Sequence, residues 1–181
     1  RSTATPQRAP NATSQLRSDQ YMTFGAMTWS PGASDWNSAV AAAMQKDARF
    51  PMRDPLARVN VMCYRDCAAL NWHFDRSEYT TTLLLQEPSG GGEFQYRSDL
   101  RSDSDPNYDG VARLLEGKDS EVQTLKLSAG TLNVFKGKNT LHRVTPCKGP
   151  QERYIAVFSY YERPGVMFSK EEQIGFYGRT A

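Results

Sequence analysis

The sequence predicts a mainly β fold, a barrel or sandwich of short strands preceded by a helix. Two observations indicate this fold: segments rich in β-branched and aromatic residues recur at close spacing, and turns that contain glycine separate them. The chain has 181 residues, 39% of them hydrophobic, which is enough for the core of one domain. We therefore expect a flexible arm at residues 1–20 and a single domain at residues 21–181.

The N-terminal part of the chain is first polar and then helical. Residues 1–20 are rich in Ser, Thr, Pro and Gln and bury too little apolar surface to offset the conformational entropy that ordering would cost. Residues 34–49 predict a helix, because Ser34 is a suitable N-cap and the alanine-rich centre favours helix. The aromatic segment at residues 21–32 fits a lid, an edge strand or part of the core.

Seven strands are predicted from alternation and from β-branched or aromatic content. The turn "PSGGG" leads into the third strand, and a glycine turn at residues 128–130 separates the fourth from the fifth. Residues 101–123 carry turn-forming residues and a short helical piece around residues 111–115, so we expect an insertion between strands there. The strands are expected at residues 57–64, 79–87, 93–97, 124–127, 131–135, 140–144 and 153–162.

Charge and composition exclude several classes of protein. The formal net charge is +2 and the basic residues are spread along the chain, so no nucleic-acid or membrane surface is indicated. No apolar run approaches the roughly 20 residues that a membrane helix needs. Three cysteines are too few for a disulfide framework. We expect a soluble cytoplasmic protein without a nucleic-acid or membrane partner.

Both histidines of the chain lie in apolar, strand-like contexts. His73 and Asp75 are separated by one residue, so on an extended backbone both side chains leave the same face. His142, in another predicted strand, would add a third metal ligand. Two histidines and one carboxylate leave the other positions of a metal open, as in non-haem Fe(II) oxygenases, and a zinc hydrolase uses similar ligands. An isolated histidine, by contrast, is more often an ordinary core or surface residue.

Arg153 begins the last predicted strand, eleven residues after His142. A guanidinium buried in a barrel needs an anion, because an unpaired buried charge is very unfavourable. A dicarboxylate cosubstrate would supply this anion, since the planar guanidinium binds a carboxylate through two parallel hydrogen bonds. The alternative is a surface arginine at the start of a strand.

Four segments, taken together and in order, resemble the Fe(II)- and 2-oxoglutarate-dependent oxygenases. The resemblance implies a double-stranded β-helix, a jelly-roll or cupin-like fold, with flanking helices. It also implies that His73, Asp75 and His142 bind Fe(II) and that Arg153 binds the far carboxylate of the cosubstrate 2-oxoglutarate. The segments, which lie within residues 57–178, are "CYRDCAALNWHFD", "GGEFQY", "AGTLNVFKGKNTLHRVTP" and "ERYIAVFSYYERPG".

The same resemblance assigns two further residues to the cosubstrate. Tyr64 occupies the place of a tyrosine that lies beside 2-oxoglutarate in prolyl-hydroxylase-like members, although it is equally well explained as an ordinary aromatic residue of the barrel wall. Thr81, on the next strand, is expected to be another neighbour of the cosubstrate. In the family, O2 is used to decarboxylate 2-oxoglutarate to succinate and CO2, and hydrogen is abstracted from the substrate.

Other segments, among them "HFDRSEYTTTLLLQ" and "DPNYDGVARLLEG", are similar to a subgroup that acts on free amino acids. Its relatives include halogenases of lysine-like substrates and fungal enzymes that form an aziridine ring. In the halogenases a glycine replaces the carboxylate of the motif and opens a position for chloride. Because this chain keeps Asp75, we expect hydroxylation or oxidative ring closure and not halogenation. Members are usually longer at the N-terminus, so residues before Arg1 are expected to help cover the substrate.

Three residues are candidates for contact with the substrate. Arg76 would hold an anionic group such as the carboxylate of an amino acid; otherwise it is a solvated side chain or a partner of Glu78. Alternation along the last strand from Arg153 places Val157 and Ser159 on the inner face as well. The expected partner is a small-molecule substrate, a free amino acid.

Two other functions are compatible with the same residues. A prolyl-hydroxylase-like enzyme would modify a protein or peptide side chain in an open groove. A non-catalytic sensor or binding module on the same fold would require loss of a metal ligand or of the arginine, and the sequence shows neither loss.

Overall fold

The computed structural model describes residues 14–15 and 49–181. Apart from Ser14–Gln15 and Arg49, the predicted arm, the aromatic segment and the first predicted helix lie outside the described residues. The division of the chain into an arm and one domain therefore stays a prediction.

Twelve strands and two helices form within the described part of the chain. The helices are α1 (Tyr108–Leu115) and α2 (Lys170–Tyr177), and neither of them, as far as these residues extend, is long and apolar enough to cross a membrane. The strands are β1 (Ser14–Gln15), β2 (Phe50–Pro51), β3 (Val59–Tyr64), β4 (Leu70–His73), β5 (Tyr79–Gln86), β6 (Gly90–Gly91), β7 (Phe94–Arg97), β8 (Gln123–Leu125), β9 (Leu132–Phe135), β10 (Leu141–Val144), β11 (Cys147–Lys148) and β12 (Arg153–Tyr161).

The strands form two antiparallel sheets, and the chain passes repeatedly from one sheet to the other. The larger sheet has the order β1-β3-β12-β5-β9, with β2 paired to β12. The smaller sheet has the order β4-β10-β7-β8, and β6 and β11 form a separate pair. Because the chain crosses between the two sheets repeatedly, from β3 through β4 to β5 and again from β8 through β9 to β10, the sheets wind together as a double-stranded β-helix. The predicted mainly β, jelly-roll fold is confirmed.

The central core lies between the two sheets. Tyr64, Leu84 and Ile155 reach it from the larger sheet, and Val144 reaches it from the smaller sheet. All four side chains are buried. Removing such apolar surface from water contributes roughly 25 cal/mol per Å², so this contact holds the two sheets together.

All seven predicted strands are present, and each begins and ends within two residues of the predicted bounds. The first of them begins at Val59 and not at residue 57. The carboxylate of Asp54 accepts hydrogen bonds from the backbone N–H groups of Leu56 and Ala57, and the resulting turn delays the start of the strand. The three cysteines are free thiols, as expected from their small number.

β4 and α2 differ from the predictions. Residues 70–73 form a strand that is not among the seven predicted strands. They pair with β10 in the smaller sheet, and local sequence does not show such a distant partner. The second helix begins with a capping box in which Ser169 and Glu172 each accept from the other's backbone N–H. This S-x-x-E pattern is visible in the sequence, so the helix was predictable. The other helix begins at Tyr108, earlier than predicted, because Asn107 caps it.

The buried carboxylate of Asp54 joins the C-terminal helix to the start of the larger sheet. Its Oδ2 accepts from the backbone N–H of Phe168 at 3.1 Å and from Nε2 of Gln173 at 2.7 Å. Oδ1 accepts from the backbone N–H groups of Leu56 and Ala57 at 2.8 and 3.1 Å. Four donors therefore depend on one fully buried acceptor group.

We predict that Asp54→Ala lowers the free energy of unfolding by about 3 kcal/mol, because hydrogen bonds to charged groups contribute roughly 1.5–3 kcal/mol each and their loss is not additive. Urea denaturation followed by circular dichroism measures this change. Asp103→Ala is the matched control, since that carboxylate is 73% exposed and pairs only with Lys138 at the surface. Equal effects of the two substitutions would contradict the role assigned to Asp54.

Candidate metal centre

Two strands of the smaller sheet bring the histidines together. β4 and β10 are antiparallel, and His73 and His142 are directly opposite each other in their register. The two ring centroids are 4.1 Å apart. Asp75 follows the end of β4, where its backbone N–H donates to the carbonyl of Gly137 at 3.0 Å. This bond fixes the loop that carries the carboxylate beside the two rings.

The three side chains present their ligand atoms to one point. Oδ1 of Asp75 lies 3.5 Å from Nε2 of His73 and 3.6 Å from Nε2 of His142. One ligand atom from each residue can be chosen so that all three lie within 4.8 Å of one another. Spacings of this size allow all three atoms to bind one metal ion at about 2.0–2.2 Å.

Backbone contacts fix the tautomer of both histidines. Nδ1 of His73 lies 2.7 Å from the carbonyl oxygen of Asn71, and Nδ1 of His142 lies 2.9 Å from that of Thr140. A carbonyl oxygen only accepts, so Nδ1 must carry the proton in both rings. Nε2 is then free to bind a metal, and the same contacts orient the rings.

The electrostatics of the site suit a cation. Burial opposes ionisation of Asp75, but hydrogen bonding with His73, the charges of both histidines and the Thr80 hydroxyl hold the pKa of its carboxyl below the usual value. Burial lowers the pKa of His142 and favours the neutral imidazole that binds metals. Burial also opposes protonation of His73, yet the hydrogen bond and charge of Asp75 raise its pKa.

Aromatic side chains close one side of the site. The Phe135 ring lies edge-on to the His142 ring at 4.8 Å, and the Phe94 ring lies 5.5 Å from it. The two phenylalanines also contact each other, with centroids 5.2 Å apart. They shield the histidine from water and limit its movement.

Arg153 is buried on the inner face of the larger sheet, at the start of β12. It is 1% exposed, and its Nε and Nη1 have no hydrogen-bond partner among the residues that the structure describes. Its cross-strand neighbour is Tyr64, whose ring centroid is 5.1 Å from the guanidinium carbon. Burial lowers the pKa of Arg153 and raises that of Tyr64. The barrel therefore contains a buried positive charge for which the described residues supply no anion.

A glycine makes room for this arginine. A Cβ atom at Gly92, whose φ is +65°, would lie 3.0 Å from Cδ of Arg153 and 3.0 Å from Sγ of Cys147. The close approach explains one glycine of the "GGG" turn, since a larger residue would displace the arginine.

The register of the larger sheet separates the other predicted residues into two groups. Val157 and Ser159 share the inner face with Arg153, because they pair with Thr82 and Thr80 of β5. Their roles in binding substrate stay predictions. Thr81 pairs with Phe158 on the opposite face. Thr81 therefore faces away from Arg153, its side chain is fully buried, and its proximity to the cosubstrate stays a prediction.

Arg76 is engaged by the C-terminal helix. Its Nη1 lies 2.5 Å from Oε1 of Glu172, and its guanidinium carbon lies 5.6 Å from the Phe176 ring centroid. The arginine side chain is 60% exposed. The alternative partner, Glu78, instead accepts from the backbone N–H of Glu162. A role of Arg76 in binding substrate stays a prediction.

Two inner-face residues were absent from the predicted site. The hydroxyl of Thr80 donates to Oδ2 of Asp75 at 2.5 Å. Asn133 pairs with Thr82 in the register of β9, and its Nδ2 is buried with no partner in the described part of the chain. Alternation in "TLNVF" places Asn133 on the same face as Phe135, so a polar residue facing inward was the available signal.

The sequence matches the model of one protein family, described as Halogenase D, over residues 42–171. No curated protein matches the sequence. The structure is similar to an oxidoreductase of the 2OG-Fe(II) oxygenase family from Burkholderia pseudomallei, with 15% identity and a TM-score of 0.54 over 75% of this chain and 54% of that chain. It is similar to AviO1 from Streptomyces viridochromogenes Tue57, with 16% identity and a TM-score of 0.54 over 71% of this chain and 57% of that chain.

The chain thus spans little more than half the length of these two proteins. Both similarities show the fold. Together with the family match, they confirm the resemblance predicted from the sequence.

We predict that Arg153→Met raises the free energy of unfolding of the ligand-free protein by about 1 kcal/mol or more, because it removes an uncompensated buried charge. The variant should also lose the stabilisation that 2-oxoglutarate gives the wild-type protein. Urea denaturation with and without 2-oxoglutarate measures both effects.

Arg49→Met is the matched control for this prediction. Arg49 is also buried, but its guanidinium carbon lies 4.0 Å from the Tyr79 ring centroid and its Nη1 lies 4.0 Å from Oε1 of Glu162. Its substitution should lower the free energy of unfolding. If Arg153→Met is as destabilising as Arg49→Met, Arg153 is a structural residue and not a binding residue.

Proposed function

The chain belongs to the Halogenase D family, and we propose that it is an Fe(II)- and 2-oxoglutarate-dependent oxygenase of a small amino-acid-like substrate. The proposed outcome is hydroxylation of an unactivated C–H bond, or oxidative ring closure such as aziridine formation. One observation carries the proposal: a barrel that places two histidines and a carboxylate around one point also buries an arginine that has no anion among residues 49–181.

The donor set fits Fe(II). Two imidazole Nε2 atoms and one carboxylate oxygen form the arrangement of non-haem Fe(II) oxygenases, which leaves the other positions open. These ligands alone would also suit the zinc of a hydrolase. Arg153 favours the oxygenase over the hydrolase, because the oxygenase binds a dicarboxylate cosubstrate that a buried guanidinium would hold, and the hydrolase needs no such cosubstrate.

The buried polar groups fit 2-oxoglutarate. Nε and Nη1 of Arg153 are donors that a distal carboxylate would satisfy with two parallel hydrogen bonds. Among the described residues, the Tyr64 hydroxyl has only the weak acceptor Sδ of Met62 at 3.8 Å, so it is available as a further donor. Asn133 adds a buried amide on the same face, which could donate to a carboxylate or keto oxygen.

When bound, iron and 2-oxoglutarate would use O2 to oxidise the substrate, and 2-oxoglutarate would leave as succinate and CO2. The residues of the chain position these groups. Arg153 would hold the far carboxylate of the cosubstrate, and the two histidines and Asp75 would hold the metal. Phe94 and Phe135 exclude water from the His142 side.

Asp75 supports oxygenation and not halogenation, despite the description of the family. Halogenases that resemble this chain carry glycine at the corresponding position of the motif and place chloride there. Here Oδ1 of Asp75 lies 3.5–3.6 Å from both Nε2 atoms, where it would occupy that metal position.

The proposed substrate is a free amino acid. Arg76 follows Asp75 directly and pairs with Glu172. An amino acid carries one carboxylate and one ammonium group, which complement the charges of Arg76 and Glu172 respectively. Val157 and Ser159 would line the inner wall. The alternative is a peptide substrate, as for a prolyl-hydroxylase-like enzyme. The cytoplasmic location and the absence of a nucleic-acid partner stay predictions.

We predict that Fe(II) and 2-oxoglutarate, added together without oxygen, give a weak visible charge-transfer band with the wild-type protein. Asp75→Ala and His73→Ala should abolish the band, because each removes a metal ligand. Asp66→Ala is the control for loss of an aspartate, since Asp66 is exposed and accepts only from the Gly149 backbone and the Cys67 thiol. A band that survives in His73→Ala would refute the proposed metal site.

We predict that one or more proteinogenic amino acids raise succinate formation above the uncoupled background, and that the product has gained one oxygen or lost two hydrogens. Mass spectrometry in excess chloride identifies the product. A chlorinated main product would show that the chain halogenates, and stimulation by peptides alone would replace the free amino acid with a peptide substrate.

A further inference from the structure

The carboxylate of Asp75 is held from the side opposite the histidines. We propose that Thr80 is a positioning residue that holds Oδ2 of Asp75, so that Oδ1 alone binds the metal. This inference rests on the proposed function, because it assigns a role toward the metal that His73, Asp75 and His142 would bind.

The two oxygens of Asp75 have different neighbours. Oδ1 faces Nε2 of His73 and Nε2 of His142, at 3.5 and 3.6 Å. Oδ2 accepts a hydrogen bond from Oγ1 of Thr80 at 2.5 Å. Thr80 is 3% exposed, so water does not compete for this contact. The two carboxylate oxygens therefore have different roles: Oδ1 faces the metal position, and Oδ2 is anchored by Thr80.

A second hydroxyl fixes the direction of the hydrogen bonds. Oγ of Ser77 lies 2.8 Å from Oγ1 of Thr80, and Ser77 is also buried. A hydroxyl has one hydrogen, and the ionised carboxylate of Asp75 only accepts. Thr80 therefore donates to Asp75, and Ser77 must donate to Thr80. Such a chain strengthens each bond in it and makes Thr80 a better donor.

Gly137 packs against Oδ2 of Asp75 from a third direction. A Cβ atom at this position would lie 2.2 Å from Oδ2 of Asp75 and 2.6 Å from Oγ1 of Thr80. The carbonyl of Gly137 also accepts from the backbone N–H of Asp75. Backbone thus packs directly against the anchored oxygen, and only glycine leaves room for it. Ser77, Thr80 and Gly137 together form a socket, which we call the Asp75 socket.

The Asp75 socket has a consequence for coordination. A carboxylate that bound through both oxygens would take a second position on the metal, one that this donor set leaves open for other ligands. With Oδ2 anchored, Asp75 takes one position. Partners that hold a metal ligand in this way typically contribute 10–100-fold to metal affinity.

The test is binding of Co(II), a spectroscopic substitute for Fe(II), to the purified chain. Thr80→Val keeps the shape of the side chain but removes the hydroxyl, and we expect about 10–100-fold weaker Co(II) binding and a changed visible spectrum. Thr80→Ser keeps the hydroxyl and should bind Co(II) with the affinity and visible spectrum of the wild-type protein. Thr82→Val is the matched control on the same face of β5, since its hydroxyl does not contact Asp75, and it should bind Co(II) as the wild-type protein does.

Gly137→Ala tests the same contact without changing β5. The added methyl group would displace Oδ2, so Co(II) affinity should fall although the Thr80 hydroxyl is present. Circular dichroism establishes that each variant is folded before titration. If Thr80→Val binds Co(II) with wild-type affinity and spectrum, the inference is overturned. If Thr80→Val does not fold, the same result with Gly137→Ala overturns it. If the wild-type protein itself binds no Co(II), or binds it equally after Asp75→Ala, the proposed metal site fails as well.

Discussion

The buried charge of Arg153 is the constraint that the surrounding core accommodates and that a bound anion would relieve. The guanidinium lies beside Tyr64 in a core that also contains Leu84 and Ile155, and Gly92 provides the space it needs. A charge in such a place lowers stability, since burial penalises it and the described residues offer the Tyr64 ring but no hydrogen-bond acceptor for Nε and Nη1. A bound dicarboxylate would offset it, so cosubstrate binding and fold stability are coupled by mass action.

The site is also a product of the packing between sheets. Both histidines come from the smaller sheet, whereas Arg153, Tyr64 and Thr80 come from the larger sheet. Neither sheet contains a complete site. The core between them therefore sets the spacing between the three candidate metal ligands and Arg153, and this core is closely packed. A cosubstrate that spans both ends would be positioned by the fold itself and not by a loop.

The sequence was most informative where spacing and residue type were both unusual. The two histidines, Asp75 and Arg153 could be selected because the chain has only two histidines and because a buried arginine needs an anion. The strands could be located because their alternation is local. Contacts between distant segments could not be read in this way: Arg76 pairs with Glu172, 96 residues away, and β4 forms only because β10 lies beside it.

Register is the second limit of such predictions. Adjacent residues of a strand face opposite sides, so an error of one position moves a side chain out of the site. Thr81 was selected and faces the other side of the sheet, whereas its neighbour Thr80 contacts Asp75. The three consecutive threonines of β5 give no local signal that distinguishes them. Only the pairing with β12 and β9 decides which of them face inward.

The family is described as Halogenase D, yet this chain keeps the carboxylate of Asp75. The Asp75 socket offers a physical interpretation of this difference. A halide replaces a carboxylate only if the side chain is absent, because the two anions would require the same position between the histidines. In this chain the carboxylate is present, ionised and anchored through Oδ2 to a buried hydroxyl. Releasing that oxygen would leave the buried Thr80 hydroxyl without its acceptor, which is unfavourable. If the chain has the proposed function, the Asp75 socket would therefore oppose displacement of the carboxylate by a halide.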